Sequence, residues 1–152
     1  VAMHGKPSPQ TDGTAKYFWL MGFDERSGGL LREKNYAELI DFDIDAFRKR
    51  LRLPFKNAPE WLLFGYRNPI WADWLRMWQD AGEPITLLLA GGQIIDSLKQ
   101  ASAIPSDCLT SDGDSMQTGP VRLVRIPFVP QDEFDRLLHF SDGLIDMGDV
   151  ER

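Results

Sequence analysis

From residue 60 onward the chain alternates between two hydrophobic patterns. Short, unbroken apolar runs are followed by longer stretches in which apolar residues recur three and four positions apart. EWLLFGY (Glu60 to Tyr66), PITLLLAG (Pro84 to Gly91) and VRLVRIPF (Val121 to Phe128) are runs of the first kind and predict buried strands. Between them lie three segments with helical spacing. In the first, Asn68 is placed to cap a helix with Pro69 at its first position, and Trp71, Trp74, Leu75 and Trp78 form an apolar face that runs to Gly82. In the second, Gln93 to Ser102, the face is Ile94, Ile95, Leu98 and Ala101; in the third, Gln131 to Ser141, it is Phe134, Leu137 and Leu138. Pro105 to Pro120 reads as a polar loop, and GLIDM (Gly143 to Met147) as the opening of a fourth strand. Strands alternating with helices predict an α/β fold with a Rossmann-like parallel sheet and right-handed crossovers. Strands apolar on both sides imply that both sheet faces are covered.

The first third of the chain is less regular. Residues 1–15, with Gly5, Pro7, Pro9 and Gly13, read as a flexible lead-in without the apolar core of a signal peptide. KYFWLMGF (Lys16 to Phe23) predicts a buried strand, and Asp24 to Gly29 a polar turn. In DFDIDAFRKRLRLP (Asp41 to Pro54), Ile44, Phe47 and Leu51 share one helical face. Acids lie at its start and bases near its end, which complements the helix dipole, and Pro54 stops it. A boundary is expected at Pro54 to Pro59, dividing the chain into 1–15, 16–54 and 55–152.

Composition narrows the chemistry. The 152 residues are 43% hydrophobic and 26% charged, the balance of a folded chain rather than a disordered one. No apolar run approaches the roughly 20 residues that span a bilayer. Seventeen basic against 23 acidic residues, net −6, argue against gripping nucleic acid through its phosphates. The single cysteine, Cys108, cannot form an internal disulfide, which fits a cytoplasmic setting, and His4 and His139 show no metal-ligand spacing.

Parallel sheets bind ligands beyond the carboxyl ends of their strands, and three junctions there carry candidate chemistry. Phe64 and Tyr66 flank Gly65 after the first strand; such rings pack into a core or stack on a planar base, and core packing is the commoner role. Gly91-Gly92 offers backbone N–H groups, but no GxGxxG or Walker pattern surrounds it, so a plain turn is the better reading. In PFVPQDEFDRLL (Pro127 to Leu138), two prolines stiffen a loop with Phe128 at its start, Gln131 at the helix start and Phe134 one turn on. Two rings and an amide suit a pyrimidine, with stacking worth roughly 1–3 kcal/mol per ring; Phe134 equally belongs to the apolar face of its helix. Arg48 to Arg52 reads as a solvated helix end, Asp112-Gly113-Asp114 as a polar turn, His139 as a surface or half-buried side chain, and the tryptophan helix as packing. No nucleophile–base pair assembles from these residues.

YFWLMGFDERSGGLLRE (Tyr17 to Glu33), EWLLFGYR (Glu60 to Arg67), TLLLAGGQIIDSLKQ (Thr86 to Gln100) and VRLVRIPFVPQDEFDRLLH (Val121 to His139) together resemble the EarP family, the protein-arginine rhamnosyltransferases that modify elongation factor P in bacteria. The resemblance implies a GT-B glycosyltransferase fold of two Rossmann-like domains. It implies that 16–54 ends the first domain and 55–152 begins the second, which binds dTDP-β-L-rhamnose. It assigns the thymine nucleotide to Phe64, Tyr66, Phe128, Gln131 and Phe134, the residues otherwise undecided between core and ligand. It implies elongation factor P as acceptor partner, transfer with inversion, and no cofactor or metal. The chain departs from the family after the third helix: DGLIDMGDVER (Asp142 to Arg152) stands where the family has an Arg-Gly-Glu-Asp-Ser-Phe loop. That loop contacts the diphosphate and carries an essential glutamate, and the family's proposed aspartate base lies near the start of the first domain. The expectation is a truncated chain that carries the base-binding part and no catalytic residue.

Overall fold

The computed structural model describes residues 6–7, 15–16 and 35–147, and the chain divides into two compact units, 1–36 and 37–152. In the first unit the described residues are two short antiparallel strands, β1 (Lys6–Pro7) and β2 (Ala15–Lys16). The strand expected at Lys16 to Phe23 lies, apart from Lys16, outside the described residues, as does most of the lead-in.

The second unit follows a short helix, α1 (Tyr36–Ile40), with α2 (Ile44–Arg50), β3 (Glu60–Gly65), α3 (Ile70–Ala81), β4 (Ile85–Ala90), α4 (Gln93–Gln100), β5 (Ser115–Thr118), β6 (Val121–Ile126), α5 (Gln131–Phe140) and β7 (Gly143–Met147). The five strands form one sheet in the order β5-β6-β4-β3-β7, in which β6, β4, β3 and β7 are parallel and β5 is antiparallel.

The unbroken apolar runs are explained by the two sheet faces. Successive strand residues point to opposite sides. Leu63, Leu87, Leu89, Leu123 and Ile145 meet Trp71, Leu75, Ile94, Ile95 and Leu98 of α3 and α4. Leu62, Leu88, Ala90, Val124 and Ile126 meet Phe47 and Leu51 from α2 and its end, and Leu137 of α5. The chain first steps outward from β3 through β4 to β6, then crosses back to lay β7 beside β3. A crossover that keeps its hand while reversing direction must lie on the other face, and α5 does. The helix 44–50 packs on this same sheet.

Local signals mark the element ends. Asp43 caps α2, its carboxylate accepting from the Ala46 N–H at 3.0 Å. Asn68 accepts from the Ile70 N–H at 3.0 Å, so the expected cap forms with the helix starting one residue after Pro69. Gly82 closes α3 in the left-handed region at φ 77°. Strand β5 was not expected within the polar loop. SMQT has one apolar residue and alternates exposed with half-buried positions, as an edge strand does. Its signal is the two-residue turn Gly119-Pro120, with Gly119 at φ 59° joining the paired Thr118 and Val121.

The expectation of a solvated Arg48 is corrected. Its guanidinium bonds both oxygens of Glu60, at 2.5 and 2.8 Å, and donates to the Pro54 carbonyl at 2.6 Å. The Glu60 side chain is 1% exposed and that of Arg48 13%. The hydrogen bond to Glu60 raises the Arg48 pKa above its ordinary value, against the opposing effect of burial. Beside this pair, Asp142 accepts from Lys56 Nζ at 2.8 Å and from the Glu60 N–H at 2.7 Å. The Lys56 bond, then the Glu60 N–H, hold the Asp142 carboxyl below the usual range. These contacts fasten α2 and the end of α5 to the amino end of β3. The other motifs keep their structural readings. Asp114 accepts from Ser111 N–H and Thr110 Oγ1 in a polar turn, Trp71 is buried while Trp74 and Trp78 pack beside Trp61, and His139 is exposed.

Candidate binding site at the carboxyl edge of the sheet

The reversal in strand order falls between β3 and β7, and a crevice is expected beyond the carboxyl ends of strands at such a point. A hollow of about 430 Å³ opens there, lined by Phe64, Ala90, Phe128, Val129, Pro130, Gln131, Phe134 and Asp146. Each element contributes through its end. Phe64 is the last side chain of β3, Ala90 the last of β4, and Asp146 stands on β7 as the register partner of Phe64. The loop from β6 to α5 supplies the rest. Pro130 ends it in extended backbone (φ −58°, ψ 161°), and its carbonyl accepts from the Phe134 N–H at 2.9 Å, starting α5.

Phe64 is the hub of the aromatic wall. Its ring lies 5.3 Å from Phe134, edge to face, and 6.0 Å from Phe128 at a 41° tilt. Phe64 and Phe134 are half-buried and also touch the core beneath, whereas Phe128 is 74% exposed. A ring that exposed contributes little to the core and leaves most of its face open to the hollow. Gln131 is exposed at the start of α5, and its Nε2 donates to Asp135 at 2.8 Å. A carboxylate only accepts, so this bond orients the amide and leaves its carbonyl oxygen for a ligand.

The structure thus brings together Phe64, Phe128, Gln131 and Phe134. Tyr66 is 49% exposed and does not line the hollow; its carbonyl accepts from Trp71 Nε1 at 2.9 Å. Gly91, at φ 73°, lies behind Phe128 rather than forming an anion cradle: a Cβ there would sit 3.6 Å from the Phe128 ring. Asp146 escaped the sequence reading. Its signal was topological, since a fourth strand returning beside the first sets its end against Phe64. Among the described residues no group of three or more His, Cys, Asp or Glu could hold a metal ion, and no helix is long and apolar enough to cross a membrane.

Fold and hollow together define an α/β protein with a largely parallel sheet and an aromatic-walled hollow at its topological switch point. Comparison with known proteins gives the family: the chain belongs to EarP, the elongation factor P (EF-P) rhamnosyltransferases, which it matches over residues 1–148. It is 61% identical over 147 residues to a protein-arginine rhamnosyltransferase of Neisseria meningitidis, covering 97% of this chain and 38% of that protein. It is 35% identical to the protein-arginine rhamnosyltransferase of Pseudomonas putida, over 91% of this chain and 38% of that protein. A solved structure showing the structural basis for EarP-mediated arginine glycosylation of translation elongation factor EF-P superposes with a TM-score of 0.65 at 31% identity. That match covers 79% of this chain and 41% of the solved one. The chain therefore spans a little under two fifths of the length of these curated relatives.

Proposed function

We propose that this chain is the nucleotide-base-binding part of an inverting protein-arginine rhamnosyltransferase, in which residues 55–152 belong to the donor-binding Rossmann-like domain of a GT-B fold and 16–54 lead into it. The donor is dTDP-β-L-rhamnose and the acceptor an arginine of elongation factor P. The observation that carries this reading is the meeting of Phe64, Phe128, Phe134 and Gln131, from two distant stretches of sequence, around one hollow. Thymine slides against the Phe128 face, Phe64 and Phe134 close the back, and the Gln131 carbonyl oxygen accepts from the pyrimidine N3–H.

The division of labour follows from the chemistry. An arginine guanidinium stays protonated near neutrality and is a poor nucleophile. Its attack needs a carboxylate to orient it and take a proton, and the departing diphosphate needs donors or cations for its growing charge. The lining residues include no cation for the diphosphate, and their one carboxylate, Asp146, is given no part in the transfer; the hollow holds and orients the donor, which lowers the entropic cost of reaction.

The test is a calorimetric titration of the chain with dTDP, alone and against dUMP, dTMP and AMP. Phe128→Ala removes one stacking face and weakens dTDP by about 5- to 150-fold, the equivalent of roughly 1–3 kcal/mol. Gln131→Ala weakens it by about tenfold. Unchanged affinity in both folded variants, or equal affinity for dTMP and AMP, removes the thymine reading.

A further inference from the structure

The hollow contains one group with no part in the base clamp, the carboxylate of Asp146. It stands on β7 in register with Phe64, lines the hollow, and among the described residues it has no hydrogen-bond or ion-pair partner. Counting donors and acceptors gives it a role. Gln131 commits an N–H to Asp135 and presents its carbonyl oxygen; Asp146 presents carboxylate oxygens. The side chains of the wall therefore offer two acceptors, and the other lining side chains are apolar. A ligand matched to this wall brings two hydrogen-bond donors on an otherwise flat, apolar body. A 5′-substituted thymidine has two such donors, the N3–H of the base and the 3′-hydroxyl of the deoxyribose.

We infer that Asp146 accepts a hydrogen bond from the deoxyribose 3′-hydroxyl of the donor nucleotide, making it a specificity residue for the sugar as Gln131 is for the base. This rests on the base-clamp reading above and adds the sugar to it. A carboxylate acceptor suits a hydroxyl, because a bond to a charged group is stronger than one between neutral groups. It is a poor choice for the diphosphate, which carries like charge, so the ligand must run with its sugar past Asp146 and its phosphates away from it.

The experiment compares dTDP with 2′,3′-dideoxythymidine diphosphate by calorimetry, in the wild-type chain and in Asp146→Ala and Asp146→Asn. Loss of the 3′-hydroxyl is expected to cost the wild type roughly tenfold in affinity. In Asp146→Ala the two ligands bind equally, and Asp146→Asn, which keeps an acceptor oxygen, retains part of the difference. A carboxylate that acts only by repelling phosphate shifts both ligands by the same factor and leaves their ratio unchanged, which overturns the assignment. The base clamp is scored separately. If dTDP binding responds to Phe128→Ala while the ratio ignores Asp146, only the sugar contact fails; if dTDP does not bind, both fail.

Discussion

Replacing Arg48 with methionine leaves the Glu60 carboxylate in place with its cation gone. Glu60 is wholly buried, and Arg48 holds both its oxygens, at 2.5 and 2.8 Å, while capping the Pro54 carbonyl and lying 5.5 Å over the Phe140 ring. Methionine keeps much of the apolar stem but provides no donor. Breaking a buried pair from one side costs about 3–5 kcal/mol, because an unpaired charge remains in a medium that cannot solvate it. That is a large share of the roughly 5–15 kcal/mol that stabilises a typical domain. Urea unfolding followed by tryptophan fluorescence reads the loss directly. With a slope of about 2 kcal/mol per molar, the midpoint falls by roughly 2 M. The double variant Arg48→Met with Glu60→Leu removes both charges and fills their space, so it recovers most of the loss. A loss below about 1 kcal/mol in the single variant, the behaviour of an exposed pair, would refute this reasoning. So would a double variant as unstable as the two single changes added together.

Two further outcomes test the frame around the site. Gly143 lies in register with Trp61, whose ring carbons would be 2.7 Å from a Cβ added there, and that ring also packs edge to face on Trp78. Gly143→Ala therefore displaces Trp61 or β7, lowering stability by about 1–3 kcal/mol and changing tryptophan fluorescence; an unchanged spectrum and midpoint would show that the strand edge absorbs the methyl freely. Asp142, held below its ordinary pKa by Lys56 and the Glu60 N–H, contributes stability that is present above the unfolded carboxyl value of 3.8 and is lost as pH falls through the lower folded value. Asp142→Asn should flatten that acid limb of a stability–pH curve without altering dTDP affinity at neutral pH, and an identical acid limb in both proteins would remove Asp142 from the account.

Two prolines mark Phe128 and Gln131 on a rigid loop as candidates in the sequence, but the residues alone leave them open between packing and ligand, and only the family resemblance assigns them. Phe64 and Phe134 are left open in the same way. Each lies on an apolar face that reads as core, and each does touch the core, with only one side of its ring turned to the hollow. Arg48 was misread for a related reason. A basic run at a helix end looks solvated until β3 brings Glu60 against it, and no periodicity reports a pairing twelve residues away.

The alternation of strand and helix, the covered nature of both sheet faces and the helix ends were legible in the residue order, because period, caps and breakers act within a few positions of one another. The order of the strands was not. It depends on where α5 crosses back and on β7 pairing with β3 across some 80 residues, an energy that exists only once the sheet is assembled. That return set Asp146 against Phe64, while the β6–α5 connection brought Phe128, Gln131 and Phe134 to the same wall as Phe64.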